Sequence, residues 1–339
     1  MPVADPTAPH GGPVVYASAL TTRFRSLTTR DGVLIRGEAG WGEFSPFADY
    51  DDAASVSWLR AAREAADVGF PAPLRDRVPV NVTIPAVGPD RAAEMVRASG
   101  GCTTAKVKVA EPGQSVDEEI ARVAAVREAL GPDGHVRIDA NGAWDLETAR
   151  DRLAVLDRAA GGLQYAEQPV PTVEDLAALR RSVDVPIAAD ESVRRAEDPL
   201  RVARMEAADL LVLKVQPLGG VRACLEFAER AGLPVVVSSA LESSVGIAAG
   251  VALAAALPEG TFRGAPLAAG LATSHLLRTD VTSAPLLPVD GHLEVRPITP
   301  DAVTPAPDDV AATWIARLDR VSALAGSIAG DRPIATGAQ

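Results

Sequence analysis

Four short apolar runs in the middle of the chain each end in a charged residue: HVRID at 135–139, LQYAE at 163–167, PIAAD at 186–190 and LLVLK at 210–214. Between these runs lie segments rich in Ala, Arg, Glu and Leu, in which apolar residues recur with helical spacing. Strands that alternate with helices predict a parallel sheet, because a parallel connection needs a crossover, which is usually a helix.

The same unit recurs on both sides of this stretch. Further strand-like runs lie at 79–84, 105–109, 234–238 and 261–264, and the clearest helical segments lie at 116–130, 146–159, 172–183 and 221–231. Eight such strands predict a modified, TIM-like (β/α)8 barrel of the α/β class, which we place at residues 81–285. An open doubly wound sheet is the structural alternative, but the chain has no GxGxxG motif after its first strand and no P-loop lysine.

The N-terminal part of the chain has a different pattern. Alternating runs at 14–19, 22–27 and 33–37, with a turn-like Asp31 and Gly32, predict an antiparallel sheet, and 53–68 predicts a helix. We expect residues 1–80 to form an α+β capping domain, completed by a C-terminal segment at about 286–339. Within that segment, a strand-like run at 291–297 would pair with the N-terminal sheet.

The charge of the whole chain favours a small-molecule substrate. Its 339 residues carry a net charge of -12, which argues against binding to nucleic acid or to an anionic membrane surface.

The two cysteines, Cys102 and Cys224, lack the spacing of a metal site. Residues 1–12 lack the basic and apolar regions of a signal peptide, so we expect a cytoplasmic protein.

Three carboxylates end neighbouring predicted strands: Asp139, Glu167 and Asp190. In barrels the carboxyl ends of the strands carry the active site. Adjacent carboxylates repel one another unless a cation lies between them, and oxygen ligands without histidine or cysteine fit Mg²⁺. The alternatives are that Asp139 stabilises a turn and that Asp190 caps a helix.

Lysine is nearly absent from the chain. Only Lys106, Lys108 and Lys214 are lysines among 33 basic residues. Arginine is too basic to accept a proton at neutral pH, whereas the pKa of lysine can be lowered. Lys106 and Lys108 share one face of the second strand, inside the barrel, where their mutual repulsion would lower the pKa of at least one. Lys108, nearer the carboxyl end, is the predicted base, and Lys214 lies on the opposite wall.

Five motifs, in order, resemble the enolase superfamily and specifically its muconate-lactonising-enzyme subgroup: KVK at 106–108, DANGAW at 139–144, AEQP at 166–169, ADES at 189–192 and LKVQPLGG at 213–220. The resemblance covers residues 16–297. It implies an N-terminal capping domain, a Mg²⁺ ion held by the three strand-end carboxylates, support of that site by Asn141, and abstraction by Lys108 of a proton next to a substrate carboxylate.

Within the subgroup, GWGEFSPF at 40–47, SSALESSVG at 238–246 and GTFRGAPLAAG at 260–270 most resemble the o-succinylbenzoate synthases. This implies a lyase of menaquinone biosynthesis that dehydrates 2-succinyl-6-hydroxy-2,4-cyclohexadiene-1-carboxylate. Lys108 would return its proton to the departing hydroxyl, and Lys214 would act as a cation. Ser239 and the backbone near Gly264 would contact the succinyl carboxylate.

Other interpretations remain open at this point. The serine-rich loop at 238–244 could equally cap a helix, and the motif around Trp41 could serve cap packing. Two lysines on opposite walls also suit 1,1-proton transfer, so an N-succinylamino acid racemase or a dipeptide epimerase is the alternative activity. A non-catalytic anion-binding barrel is disfavoured, because it has no need of two lysines facing three acids.

Overall fold

The structure is a computed structural model that describes residues 12–24, 27–196 and 198–330. Residues 1–11, which carry most of the signal-peptide prediction, lie outside the described part. Within the described residues, no helix has both the length and the apolar character needed to cross a membrane. Cys102 and Cys224 are buried and free.

Eight strands run parallel to their neighbours: β4 (Arg77–Ile84), β5 (Thr104–Lys108), β6 (His135–Asp139), β7 (Leu163–Glu167), β8 (Ile187–Ala189), β9 (Leu210–Leu213), β10 (Val235–Val237) and β13 (Ala269–Ala272). The first seven pair in chain order, and β13 pairs with β4. A parallel bridge between Ser238 and Gly270 joins the two ends of the sheet. This closed ring confirms the predicted barrel.

The helices of the described chain are α1 (Val56–Arg63), α2 (Pro89–Arg97), α3 (Val116–Leu130), α4 (Leu146–Ala160), α5 (Val173–Arg180), α6 (Glu191–Arg194), α7 (Arg201–Arg204), α8 (Val215–Leu218), α9 (Val221–Ala231), α10 (Ser244–Ala256) and α11 (Asp308–Gly330). Local signals set several ends. Ser115 and Glu118 form a capping box at the start of α3, and Gly161, in a left-handed conformation, ends α4.

The predicted eighth strand at 261–264 is wrong. That segment forms a hairpin of β11 (Thr261–Phe262) and β12 (Ala265–Pro266), and the true eighth strand is AGLA at Ala269–Ala272. This short strand has no β-branched residue, so its strand propensity is low. Its place is set instead by pairing with β4 and by its buried position in the barrel.

The cap contains an antiparallel sheet of β1 (Val14–Phe24), β2 (Leu27–Arg36) and β3 (Trp41–Phe44), followed by α1 and a π-helical turn (Glu64–Val68). The turn predicted at Asp31 and Gly32 is wrong, because both residues lie within β2. Gly32 pairs with Tyr16, and a Cβ atom there would lie 2.6 Å from the Cβ of Ser45. Glycine therefore permits close packing and makes no turn.

The C-terminal segment contacts both parts of the molecule. Strand β14 (His292–Glu294) pairs antiparallel with β4 of the barrel, which contradicts its predicted pairing with the N-terminal sheet. Helix α11 packs on the cap, where Trp314 meets Phe44 edge-on at 6.0 Å and donates to Asp31 Oδ2 at 3.1 Å. The division near residue 80 stays a prediction.

Two buried charged residues of the cap attach it to the barrel. The Glu43 carboxylate accepts hydrogen bonds from the Tyr16 hydroxyl at 2.8 Å and from the backbone N–H groups of Ser243 and Gly246, both at 3.1 Å. These amides belong to the first turn of α10, where backbone N–H groups lack helical partners and favour a negative charge. Arg30 donates through Nε to the Leu241 carbonyl at 2.9 Å. The GWGEFSPF motif thus holds the cap to the loop after β10.

A buried acid in this contact gives the molecule a pH-dependent stability. Burial, and after it the Glu43 carboxylate, raise the pKa of Glu242 to about 7. The folded chain therefore retains a proton that the unfolded chain releases at lower pH. As a result, the free energy of unfolding falls as the pH rises from the ordinary glutamate pKa of ~4.3 to about 7. Above that range, the destabilisation that Glu242 causes no longer changes with pH.

We expect Glu242→Gln, which resembles the protonated acid, to be more stable than the unaltered chain above about pH 7, by up to ~3 kcal/mol, and equally stable near pH ~4. Urea unfolding at several pH values measures the difference. A difference that does not change with pH would contradict this assignment.

Candidate active site

The two lysines of β5 point into the barrel and lie among carboxylates. Lys106 Nζ is 3.1 Å from Asp139 Oδ2 and 3.0 Å from both carboxylate oxygens of Glu167. Lys108 Nζ is 2.6 Å from Asp139 Oδ2 and 2.8 Å from Asn141 Oδ1. All these residues except Asn141 are buried. The alternation along β5 therefore brings both ammonium groups to the same acidic rim, as predicted.

The three predicted metal ligands follow one another around this rim. Asp139 and Glu167 are register partners in β6 and β7, and Asp190 directly follows β8. Asp139 Oδ1 also accepts from the backbone N–H of Asn141 at 3.0 Å, which supports the turn interpretation of this residue. Its role as a metal ligand stays a prediction. Asp190 occupies the N-cap position of α6, but its side chain makes no capping bond. It turns instead toward Lys214.

Lys214 follows β9 and lies beside the third carboxylate. Its Nζ is 2.5 Å from Asp190 Oδ2, and it lines the same cavity as Lys106 and Lys108. The structure thus brings all three lysines of the chain together with three carboxylates. In a low-dielectric interior each ion needs such a partner, since an unpaired buried charge is strongly destabilising.

The electrostatics of the rim differ in one respect from the sequence-based expectation. Burial opposes a charge on Lys106, but the carboxylates of Glu167 and Asp139 outweigh it, so the pKa of Lys106 is raised, not lowered. Burial, followed by the charge of Asp139, raises the pKa of Glu167 to about 7. The lysines flank the row of three acids around the rim, and attraction to these acids outweighs the expected effect of repulsion at Lys106. The role of Lys108 as the base stays a prediction.

The chemistry of the three carboxylates fits a divalent cation. All three are buried at adjacent strand ends and supply only hard oxygen atoms. The raised pKa of Glu167, which comes from burial and from the nearby charges of Asp139 and Asp190, shows that these carboxylates are crowded. In the described residues no three acid, histidine or cysteine side chains are arranged so that they could hold a metal ion as they stand. Ammonium groups lie against the carboxylate oxygens instead. A bound cation would take over the charge compensation that the lysines supply here.

The cavity above this rim has walls from the barrel and the cap. Its lining includes Phe24 and Phe47 from the cap, and the barrel side adds a hydroxyl-rich wall: Thr83, Ser238, Ser239 and Thr273. The Ser239 and Thr273 hydroxyls are 2.9 Å apart. Ser239 therefore lines the cavity, while Ser243 of the same loop caps α10, as the helix-cap interpretation predicts. The contact of Ser239 with substrate stays a prediction.

Gly264 is not part of this site. It lies between β11 and β12, and this hairpin contacts the start of β7, where Gln164 Nε2 donates to the Pro266 carbonyl at 3.1 Å. The amino end of the barrel faces away from the catalytic rim, so the predicted contact between Gly264 and substrate is wrong. The error follows from the misplaced eighth strand, and Gly270, in the true strand, lines the cavity instead.

Sequence reasoning missed one charged residue of the site, Arg194. Its Nε lies 3.0 Å from Asp190 Oδ1 and its Nη2 lies 2.6 Å from Glu191 Oε1. The available signal was its position four residues after Asp190, which places both side chains on one face of a helical turn. In a chain with so many arginines, that signal did not stand out.

Two family models match this chain. An enolase C-terminal domain-like model matches residues 89–302, and an enolase N-terminal domain-like model matches residues 15–66. Among solved structures, the L-Ala-D/L-Glu epimerase of Bacillus subtilis has a TM-score of 0.70 at 22% identity and covers 87% of this chain and 98% of its own. The muconate lactonizing enzyme of Pseudomonas fluorescens also has a TM-score of 0.70 at 22% identity, over 89% and 97% of the two chains. These likenesses show the fold.

Two similar proteins show to which family within this superfamily the chain belongs. The o-succinylbenzoate synthase of Thermobifida fusca is 61% identical over 304 residues, which cover 89% of this chain and 93% of that protein. The o-succinylbenzoate synthase of Mycolicibacterium smegmatis is 51% identical over 314 residues, 91% and 95% of the two chains. By these matches and by its fold, the chain belongs to the enolase superfamily and, within it, to the o-succinylbenzoate synthase family.

Proposed function

We propose that this chain is a Mg²⁺-dependent o-succinylbenzoate synthase, a lyase that converts 2-succinyl-6-hydroxy-2,4-cyclohexadiene-1-carboxylate into 2-succinylbenzoate and water in menaquinone biosynthesis. The observation that carries the proposal is that three lysines line one cavity beneath the cap and that each contacts a buried strand-end carboxylate. The identity to synthases over most of the chain supports the choice of substrate.

Asp139, Glu167 and Asp190 would hold the Mg²⁺ ion, and Asn141, which contacts both Asp139 and Lys108, would support the site. When bound, the ion would stabilise the negative charge that develops on the substrate carboxylate. Each ligand contacts a lysine or an arginine, so binding of the ion would require these cations to release part of the carboxylate oxygens.

Lys108 is the residue that moves the proton. As a neutral amine it would take the proton from the carbon next to the substrate carboxylate. The electrons of the broken C–H bond would form the new double bond of the ring as the C–O bond to the hydroxyl breaks. The proton would then pass from Lys108 to the departing hydroxyl on the same face, which leaves as water and restores the amine.

The other lysines would act as fixed cations. Lys106 lies between Asp139 and Glu167, and its positive charge would help to keep Lys108 neutral when substrate is bound. Lys214 lies against Asp190 and would face the negative charge on the substrate. Ser239, in the hydroxyl-rich wall, would donate a hydrogen bond to the succinyl carboxylate.

One observation favours a second activity. Lys214 lies four strands from Lys108 and lines the same cavity, so a substrate between them could lose a proton on one face and regain it on the other. N-succinylamino acid racemisation or dipeptide epimerisation is therefore the alternative function. It needs proton transfer by both lysines, whereas the dehydration needs it only from Lys108.

We expect Lys108→Arg to lower dehydration at least ~10³-fold, because arginine retains the positive charge but is too basic to accept the proton. Loss of the cyclohexadiene absorbance in the presence of Mg²⁺ measures the rate. The control is Arg230→Lys, a change in an exposed pair with Glu226, which should leave the rate unchanged. An unaltered chain that does not turn over this substrate would sink the proposed function.

The variant Lys214→Arg separates the two activities. The guanidinium keeps the cation but cannot act as a base, so dehydration should fall by less than ~10²-fold while racemisation is abolished. Alpha-proton exchange of N-succinyl amino acids in D2O, followed by NMR from each enantiomer, measures the second activity. If dehydration falls as far as in Lys108→Arg, then Lys214 does more than supply a charge.

Removal of divalent metal by a chelator should abolish dehydration, and added Mg²⁺ should restore it, because the substrate carboxylate then regains its cation. Unfolding followed by circular dichroism in the same samples checks that the metal-free chain stays folded. Full activity after exhaustive chelation would contradict the metal-dependent mechanism.

A further inference from the structure

Arg194 contacts three residues, on two segments of the chain, from a nearly buried position. Its side chain is 5% exposed. Nε donates to Asp190 Oδ1 at 3.0 Å, Nη2 donates to Glu191 Oε1 at 2.6 Å, and Nη1 donates to the hydroxyl of Tyr50, a residue of the cap. A planar guanidinium holds several acceptors at fixed relative positions, which an ammonium group does not.

The first of these contacts fixes the orientation of a proposed metal ligand. The two oxygens of Asp190 have different partners: Oδ1 accepts from Arg194 at 3.0 Å, and Oδ2 accepts from Lys214 at 2.5 Å. Arg194 thereby prevents rotation of the carboxylate and keeps Oδ2 on the side of the cavity. Residues that orient a metal ligand in this way strongly influence metal affinity.

The second contact leads toward the proposed base. Glu191 Oε1 also accepts from Asn141 Nδ2 at 3.3 Å, and Asn141 Oδ1 in turn accepts from Lys108 Nζ at 2.8 Å. A chain of side-chain hydrogen bonds therefore runs from Arg194 through Glu191 and Asn141 to Lys108.

The third contact reaches a cap residue that packs together with the cavity wall. The Tyr50 ring lies 5.2 Å from the ring of Trp58, and Phe47, which lines the cavity, lies 5.8 Å from the same Trp58 ring. The guanidinium of Arg195 also lies 4.7 Å from the centre of the Tyr50 ring. The position of the Tyr50 hydroxyl is thus tied to the position of the cap over the cavity.

We propose that Arg194 is a positioning residue that couples docking of the cap, through Tyr50, to the metal ligand Asp190. The inference rests on the metal site of the proposed function. Because coupling between two sites is reciprocal, the Tyr50 contact strengthens Mg²⁺ binding, and Mg²⁺ binding in turn strengthens docking of the cap. A purely structural arginine at the rim would show neither effect.

The test uses the full chain without substrate and measures Mg²⁺ binding by titration calorimetry. Tyr50→Phe removes only the hydroxyl, and we expect a Kd for Mg²⁺ about 3- to 10-fold weaker. Arg194→Lys keeps the charge but loses the planar guanidinium with its several N–H donors, and we expect Mg²⁺ to bind ~10-fold more weakly or worse. The control is Arg204→Lys, which alters an exposed arginine paired with Asp198 and should leave the Kd unchanged.

Hydrogen exchange of residues 47–63, measured with and without Mg²⁺, tests the reverse direction. Mg²⁺ should slow exchange in the unaltered chain and in Arg204→Lys, but not in Tyr50→Phe or Arg194→Lys. Unfolding midpoints show whether each variant is folded. If Arg194→Lys does not fold, Tyr50→Phe still tests the coupling, because it keeps the ring packing.

The outcomes separate this inference from the proposed function. Unchanged Mg²⁺ affinity in Tyr50→Phe and in any folded Arg194→Lys, or cap exchange that does not respond to Mg²⁺, overturns the coupling and leaves the synthase proposal intact. If the unaltered chain binds no Mg²⁺, both the coupling inference and the proposed Mg²⁺-dependent function are overturned. If the chain binds Mg²⁺ with the expected coupling but does not dehydrate the cyclohexadiene, only the choice of reaction is overturned.

Discussion

The rest of this structure depends on the pairing of three ammonium groups with three carboxylates inside one barrel. Lys106 lies between Asp139 and Glu167, and Lys214 lies against Asp190. Removing one partner of such a buried pair leaves an uncompensated charge, at a cost of ~3–5 kcal/mol. The barrel can therefore keep these charged groups buried only if every ammonium group and every carboxylate has a partner. A divalent cation that binds the carboxylates would have to replace part of the positive charge that the lysines supply.

Exclusion of water from that set requires the cap, and the cap is held by polar contacts as well as by apolar packing. Glu43 satisfies amides at the start of α10, while Arg30 binds a carbonyl of the loop that lines the cavity. A carboxylate at a helix N-terminus is favourable both as an acceptor and as a charge. These contacts join the cap to a loop that also supplies Ser239, so cap position and cavity shape are set together.

The active-site residues were predictable because two simple periodicities control them. Side chains alternate along a strand, which puts Lys106 and Lys108 on one face, and the strand–helix repeat brings successive strand ends to one rim. The scarcity of lysine then pointed to the three residues that the structure places at this rim. Arg194 and Arg30 were missed because arginine is common in this chain, and their roles depend on segments that are distant in sequence.

By itself, the sequence determined the barrel class, the acidic rim and the identity of the proposed base, since these follow from local patterns and repeat spacing. Only the tertiary structure decided which segment closes the barrel, that Gly32 lies within a strand, that β14 pairs with β4, and that Gly264 lies at the far end. Pairing partners of short strands are chosen by non-local hydrogen bonds and packing, which local propensity does not encode. That Lys108 and Lys214 line the same cavity likewise required the closed barrel.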